Sequence, residues 1–399
     1  MNPRSHPGDR PQRSSAYTLT ELLHEGGTCV LYRGYRIADR EPIVAKLFKS
    51  EYPSLHDLAR LRHEYLIARD IDAPGVVRAY GLEEIEGRLA LVLEDFGGLS
   101  LSDILRIEQL DLKTALQIGA LLADAVGAIH DHHIIHKDIK PHNILINRAT
   151  GQVKLTDFGV ASHLSLETHR ATRPDALEGT LSYMSPEQTG RMNRVVDSRT
   201  DLYSLGVTLF EMLTGTLPFA AKDPMEMVHS HIARAPPAPH ERTPAIPRVV
   251  SDIVLKLLAK AAEDRYQSAH GLKADLEASI AQWTARGEIE PFPLGRRDAP
   301  LELRLAQKLY GREEERAALV EAFERASAGG CELLLVKGPA GVGKSALVGE
   351  IQRAIGLRGA LFSAGKFDQR NRNIPALAVA STLRDLVRQL LSEPAEALE

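Results

Sequence analysis

The stretch HKDIKPHNIL at 136–145, followed by LTDFG at 155–159, constrains this chain more than any other feature. Four of its polar side chains suit one kind of chemistry. Asp138 can accept the proton of an attacking hydroxyl, and Lys140, two residues on, can reach a transferring phosphate. Asn143 and Asp157 offer the hard oxygen ligands that Mg2+ prefers. Phosphoryl transfer asks for positioning and charge neutralisation more than covalent help, and these groups provide both. An isolated DFG tripeptide is worth little, because aspartate–glycine pairs are common in turns. Support has to come from the rest of the chain.

That support is a resemblance to the protein kinase family. VAKLF resembles the strand bearing the ATP-anchoring lysine, here Lys46, and Glu64 in RHEYL stands where the family's helix αC glutamate would. GTLSYMSPEQ is similar to the end of the activation segment, with Glu187 in the APE position. Asp201 in DLYSLGV corresponds to the residue that braces the catalytic loop, and Arg265 in EDRYQSA to the buried partner of Glu187. Order and spacing hold from Tyr17 to about Thr284.

The resemblance implies an α+β, bilobal protein-kinase fold over 17–284, with a small β-rich N-lobe and a large helical C-lobe. ATP would lie between the lobes, with Leu93 as gatekeeper and Glu94 to Phe96 as hinge. Lys46, Glu64, Asp138 and Lys140 would be the catalytic group, and Asn143 and Asp157 would hold Mg2+. Lys140 after Asp138 and Thr180 in GTLSY point to the serine/threonine branch, hence to protein substrates bearing Ser or Thr.

Local patterns agree. YTLTELLH, VLYRGY, PIVAKLF and ALVLEDF read as strands, LHDLARLRHEYLIARDI as a helix, and long helical patterns dominate from Asp111 onward. A formal net charge of -4 gives no basic footprint, so nucleic acid is not the expected partner. Cys29 and Cys331 lie far apart, as in a reducing cytosol. No uncharged apolar run approaches the roughly 18 to 20 residues that span a bilayer. The expected location is cytoplasmic, with residues 1–16 a disordered tail. HDHHIIH at 130–136 fits no usual zinc ligand spacing.

Two departures from the family pattern stand out. Against G-x-G-x-x-G-x-V, the stretch LHEGGTCVLYRG at 23–34 places His24 at the first glycine, Gly26 at the second, Cys29 at the third and Leu31 at the valine. Gly26 and Gly27 keep a serviceable phosphate loop through close approach and positive φ, weakened at His24, with a raised KM for ATP expected. Cys29 reads as an inert small residue, since no nearby feature lowers its pKa. Lys137 replaces the arginine that clamps a phosphorylated activation loop, a bidentate contact that lysine makes poorly. Neither Thr168, Thr172 nor Thr180 is therefore expected to be obligatory for activity.

Residues 285–309 read as a proline- and glycine-rich linker, and 310–399 as the incomplete N-terminal portion of a P-loop ATPase domain. GPAGVGKS satisfies G-x-x-x-x-G-K-[ST], between the apolar strand ELLLV and the helix KSALVGEIQRAI. Gly338, Gly343 and the helix N-terminus would cradle phosphates, with Lys344 on β/γ oxygens and Ser345 on Mg2+. YGREEE at 310–315 resembles the opening of AAA/STAND-type ATPases. No second acidic strand for the metal is legible after Ser345, so the chain reads as a fragment without independent ATP hydrolysis. Kinase, linker and P-loop together resemble the N-terminal part of large bacterial signalling proteins, in which GAF and histidine-kinase modules follow. Self-association or such downstream modules in a longer parent are the implied partners. The competing reading is a pseudokinase scaffold that binds nucleotide and regulates the attached ATPase. Intact Lys46, Asp138 and Asp157 weigh against it.

Overall fold

Alternation decides which face each N-terminal strand buries. In PIVAKLF, Ile43, Ala45 and Leu47 are buried on one face, and Lys46 leaves by the other. In the computed structural model, β1 (Tyr17–Glu25), β2 (Cys29–Arg36), β3 (Pro42–Phe48), β4 (Ala79–Ile85) and β5 (Arg88–Glu94) form one antiparallel sheet in the order β1-β2-β3-β5-β4. The structure describes residues 16–50, 52–85, 87–163, 181–189, 196–221, 223–299 and 311–339, with 342, 344, 347–348, 363 and 382–383. The inward faces of the sheet close a small core around Leu19, Val30, Ile43, Leu47, Ile85 and Val92. Helix α1 (Leu55–Ala68) starts at a capping box in which Ser54 and Asp57 satisfy each other's backbone N–H groups.

The second lobe is mainly helical. It comprises β6 (Leu99–Ser100), α2 (Leu101–Ile107), α3 (Leu112–Asp131), β7 (Ile134–Ile135), β8 (Ile144–Asn147), β9 (Gln152–Leu155) and β10 (Ser162–His163). Helices α4 (Arg199–Thr214), α5 (Pro224–Ala233), α6 (Pro239–Arg242), α7 (Arg248–Leu257) and α8 (Ala269–Arg286) complete it. Helix α4 is buried almost all round, which makes it the axis of the lobe. By length and composition α3 could cross a membrane, but 61% of its apolar window is buried in this core. The expected two-lobed fold is what forms.

A short loop joins the lobes behind the site. Val77 N donates to Leu155 O at 2.9 Å, and Leu155 N to Gly75 O at 2.8 Å. A Cβ on Gly75 would come within 2.5 Å of Ala125 Cβ on α3, so only glycine fits there.

The segment read as a linker behaves differently over its first half. Gly287 takes φ 71 and ends α8 with its N–H on Trp283 O. The chain then returns along the lobe, with Ile289 buried and Phe292 and Leu294 packed against the main core. Composition pointed to a spacer; the three apolar side chains and Asp298 anchor it instead. Residues 300–309 lie outside the described residues, as do 1–15.

The C-terminal segment departs from expectation too. Helix α9 (Glu313–Ser327) forms, but ELLLV at 332–336 is in no strand. Leu333 is 96% exposed and Leu335 74%, so no neighbouring strand among the described residues covers them. A strand gains its hydrogen bonds only from a partner, which apolar composition alone does not supply.

Candidate active site between the lobes

Strand β3 and helix α1 bring the first pair together. Lys46 Nζ lies 2.8 Å and 3.0 Å from the two oxygens of Glu64, and 3.1 Å from Asp157 Oδ1. Three residues separated by up to 111 positions thus meet at one ammonium. Burial works against the charged lysine, but Asp157 and Glu64 outweigh it and hold the ammonium above its ordinary range. Burial also opposes ionised Asp157, and Lys46 reverses that, pulling its carboxyl down to about 2. Glu64 is the more enclosed carboxylate, and burial leaves its pKa raised in spite of Lys46.

Asp157 holds φ 67, a left-handed conformation that a non-glycine residue rarely adopts, and Phe158 beside it is buried against the His136 ring. The other loop is fixed from below. Asp201 on α4 accepts from His136 N at 2.8 Å, Lys137 N at 2.7 Å and His130 Nε2 at 2.9 Å. Those three bonds hold the 136–138 turn, in which Lys137 takes φ 68. The histidines of HDHHIIH are thereby accounted for in part. His130 braces Asp201, and His136 Nε2 donates to Thr156 O at 3.1 Å.

Asp138 faces the cleft from that turn. Lys140 Nζ lies 2.8 Å from its Oδ2, and Asn143 Nδ2 donates to the same oxygen at 3.0 Å and to Asp138 O at 2.8 Å. Its other oxygen, Oδ1, is buried without a hydrogen-bond partner among the described residues. A buried carboxylate oxygen left open in this way is an acceptor for an incoming hydroxyl. Thr156 N donates to Asn143 O at 3.0 Å, which sets Asn143 against the strand end carrying Asp157. Lys46, Glu64 and Asp157 form one group, Asp138, Lys140 and Asn143 a second.

A match to the protein kinase domain model covers residues 17–276 and contains all six. The chain belongs to the protein kinase domain family. A second match, to the AAA ATPase domain, covers residues 308–399. The chain is 34% identical to the serine/threonine-protein kinase PknB of Mycobacterium tuberculosis, over 69% of this chain and 44% of that protein. It is 31% identical to the serine/threonine-protein kinase PrkC of Bacillus subtilis, over 67% of this chain and 41% of that protein. Hybrid signal transduction histidine kinase G of Dictyostelium discoideum is also 31% identical, over 71% of this chain but 11% of its own length. The chain thus spans less than half the length of these curated relatives.

The kinase domain's remaining predicted positions sit as follows. Glu94 turns its side chain away from the cleft, onto Lys154 Nζ at 2.7 Å and Arg78 N at 3.2 Å. Phe96 packs partly against the core with its carbonyl on Asn147 Nδ2. Any contact of these two with an adenine would therefore come from backbone. The glycine loop is a tight hairpin tip in which Gly26 N donates to Cys29 O at 2.9 Å. Neither Gly26 nor Gly27 takes a positive φ, so the conformational freedom expected of them is not used here. Gly27 has open space where a Cβ would be, which leaves close approach as its remaining use. Cys29 is half-buried, and burial pushes its thiol pKa up despite Lys46, in keeping with an inert residue.

In the P-loop segment, Lys344 Nζ donates to Gly338 O at 2.9 Å and Pro339 O at 2.7 Å. Gly343, Ser345, Thr168, Thr172 and Thr180 lie outside the described residues. Three residues that sequence reasoning passed over matter to the site. Gln188 Nε2 donates to Lys137 O at 2.8 Å, and His63 Nε2 to Ala161 O at 2.7 Å. Lys154 ties the hinge to the C-lobe. Gln188 stood in the quoted SPEQ; His63 and Lys154 had no spacing signal.

Proposed function

We propose that this chain transfers the terminal phosphoryl group of ATP to serine and threonine hydroxyls of proteins, as a cytoplasmic signalling enzyme. The observation that carries this reading is Lys46 held between Glu64 and Asp157, a cation fixed where a triphosphate would enter. Asp138 would take the hydroxyl proton on its open oxygen, and Lys140 beside it would meet the transferring group. Asn143 and Asp157 fit Mg2+: one is an amide oxygen source held at the site, the other a carboxylate anionic at any ordinary pH. Bound Mg2+ would neutralise charge on the phosphates. Glu94 to Phe96 would meet the base through their backbone, and Gly26 and Gly27 would cover the phosphates. Gly338, Gly343, Lys344 and Ser345 would form the phosphate and Mg2+ group of the AAA segment. The likeness to the serine/threonine-protein kinases PrkC and PknB supports the serine/threonine class.

The test is phosphate incorporation from labelled ATP by wild type, Asp138→Asn and Asp157→Ala, with Mg2+ and without. Activity only in wild type with Mg2+ supports the reading. Equal incorporation in all three identifies a contaminant, and none in wild type turns the assignment toward a nucleotide-binding scaffold.

A further inference from the structure

The segment after α8 ends on a carboxylate with a specific address. Asp298 Oδ2 accepts from Gln267 N at 2.7 Å, and its Oδ1 accepts from Ser268 N and Ser268 Oγ, both at 2.9 Å. Ser268 is the N-cap of α8, so the carboxylate sits at the positive end of an 18-residue helix. A Cβ on Gly271 would lie 2.5 Å from Asp298 Oδ1, so the approach demands glycine at that position. Gly295 N, three residues earlier, donates to Asp275 Oδ2 at 2.7 Å. The return path is thus secured at both ends of its last turn.

What Asp298 holds is the support of the activation-segment anchor. The Gln267 side chain accepts from Arg199 at 2.9 Å and donates to the carbonyls of Ala262, Glu263 and Arg265. Arg265 in turn grips Glu187 through two bonds of 2.6 and 2.9 Å. Beside Glu187, Gln188 bonds the Lys137 carbonyl, one residue from Asp138. Asp298 also stands ten positions before the start of the AAA match at 308.

We propose that Asp298 is a positioning residue for phosphoryl transfer, acting from the end of the return path on the acceptor side of the kinase site. The proposal rests on the reading of the cleft given above. Its contacts lie on the Glu187 side, away from the Lys46 group, so it acts on the protein acceptor and not on ATP. Loosening Asp298 loosens the 262–268 loop, and through Arg265 the seat of Glu187.

The experiment uses the full 399-residue chain, with an acceptor peptide selected on wild type from a random serine/threonine library. Asp298→Ala should lower kcat/KM for the acceptor roughly five- to tenfold while KM for ATP stays within about twofold. Asp298→Asn, which keeps one acceptor oxygen, should fall between. Unchanged acceptor kinetics, or equal losses on ATP and acceptor, would overturn the proposal. If Asp298→Ala does not fold, Gln267→Met removes the side-chain bonds to Arg199 and to the 262–265 carbonyls while the backbone bond to Asp298 stays. It must show the same acceptor-side loss, and unchanged kinetics there overturn the proposal as well. Absence of transfer by wild type is a separate result, which removes the reading of the cleft itself.

Discussion

Arg265 carries its charge where its side chain reaches no solvent, and Glu187 meets it with only 4% of its own side chain exposed. Thr200 Oγ1 adds a third bond to that carboxylate at 2.9 Å. Removing one partner of such a pair strands the other, so Arg265→Ala should cost about 3–5 kcal/mol, read as a shift in the urea midpoint. His231 gives a second residue-level prediction. Burial, with Lys260 nearby, lowers its pKa to about 3, and Tyr203 Oη lies 2.9 Å from its Nδ1. The unfolded chain takes up a proton near pH 6.5 and the folded one does not, so stability falls as pH drops from there toward 3. Urea titrations from pH 7 to 4 should show that slope, and His231→Asn should flatten it. Pairs such as Lys46–Glu64 and Glu187–Arg265 were legible in the sequence because motif order fixes both members. His63 and Gln188 were not, because each bonds a remote backbone carbonyl, which any residue can offer.

At the scale of elements, legibility followed burial pattern. β3 and β5 announced themselves through apolar alternation and runs, whereas β4 (AYGLEEI) did not, since it carries a glycine and two glutamates along one edge of the sheet. ELLLV failed in the opposite sense, with strand composition and no strand. At the loop before β4 one element leans directly on another. Gly75→Ala would press a methyl into Ala125 on α3, costing about 1–3 kcal/mol as the loop shifts. That loop follows α1, which carries Glu64, so the expected result is a loss of kcat larger than the drop in melting temperature explains. Kinetics measured well below the melting temperature check it.

For the whole molecule, the two-lobed arrangement was readable from motif order, while the docking of residues 288–298 was hidden by a composition that suits a spacer. Lys137 supports an activity prediction at this scale. Thr168→Ala with Thr172→Ala should retain most of the wild-type turnover, because the chain lacks the arginine that would clamp a phosphate; abolished turnover in a folded variant would contradict it. The hinge region supports another. Asp95 pairs with Arg33 of the first lobe at 2.5 Å, and its neighbour Glu94 with Lys154 of the second at 2.7 Å. Two adjacent side chains are therefore moored to opposite shores. The jaws of the molecule cannot gape without straining one mooring, and salt weakens both. Escape of spent nucleotide should accordingly be slower in dilute buffer than in brine, and a Lys154→Met chain should lose much of that contrast.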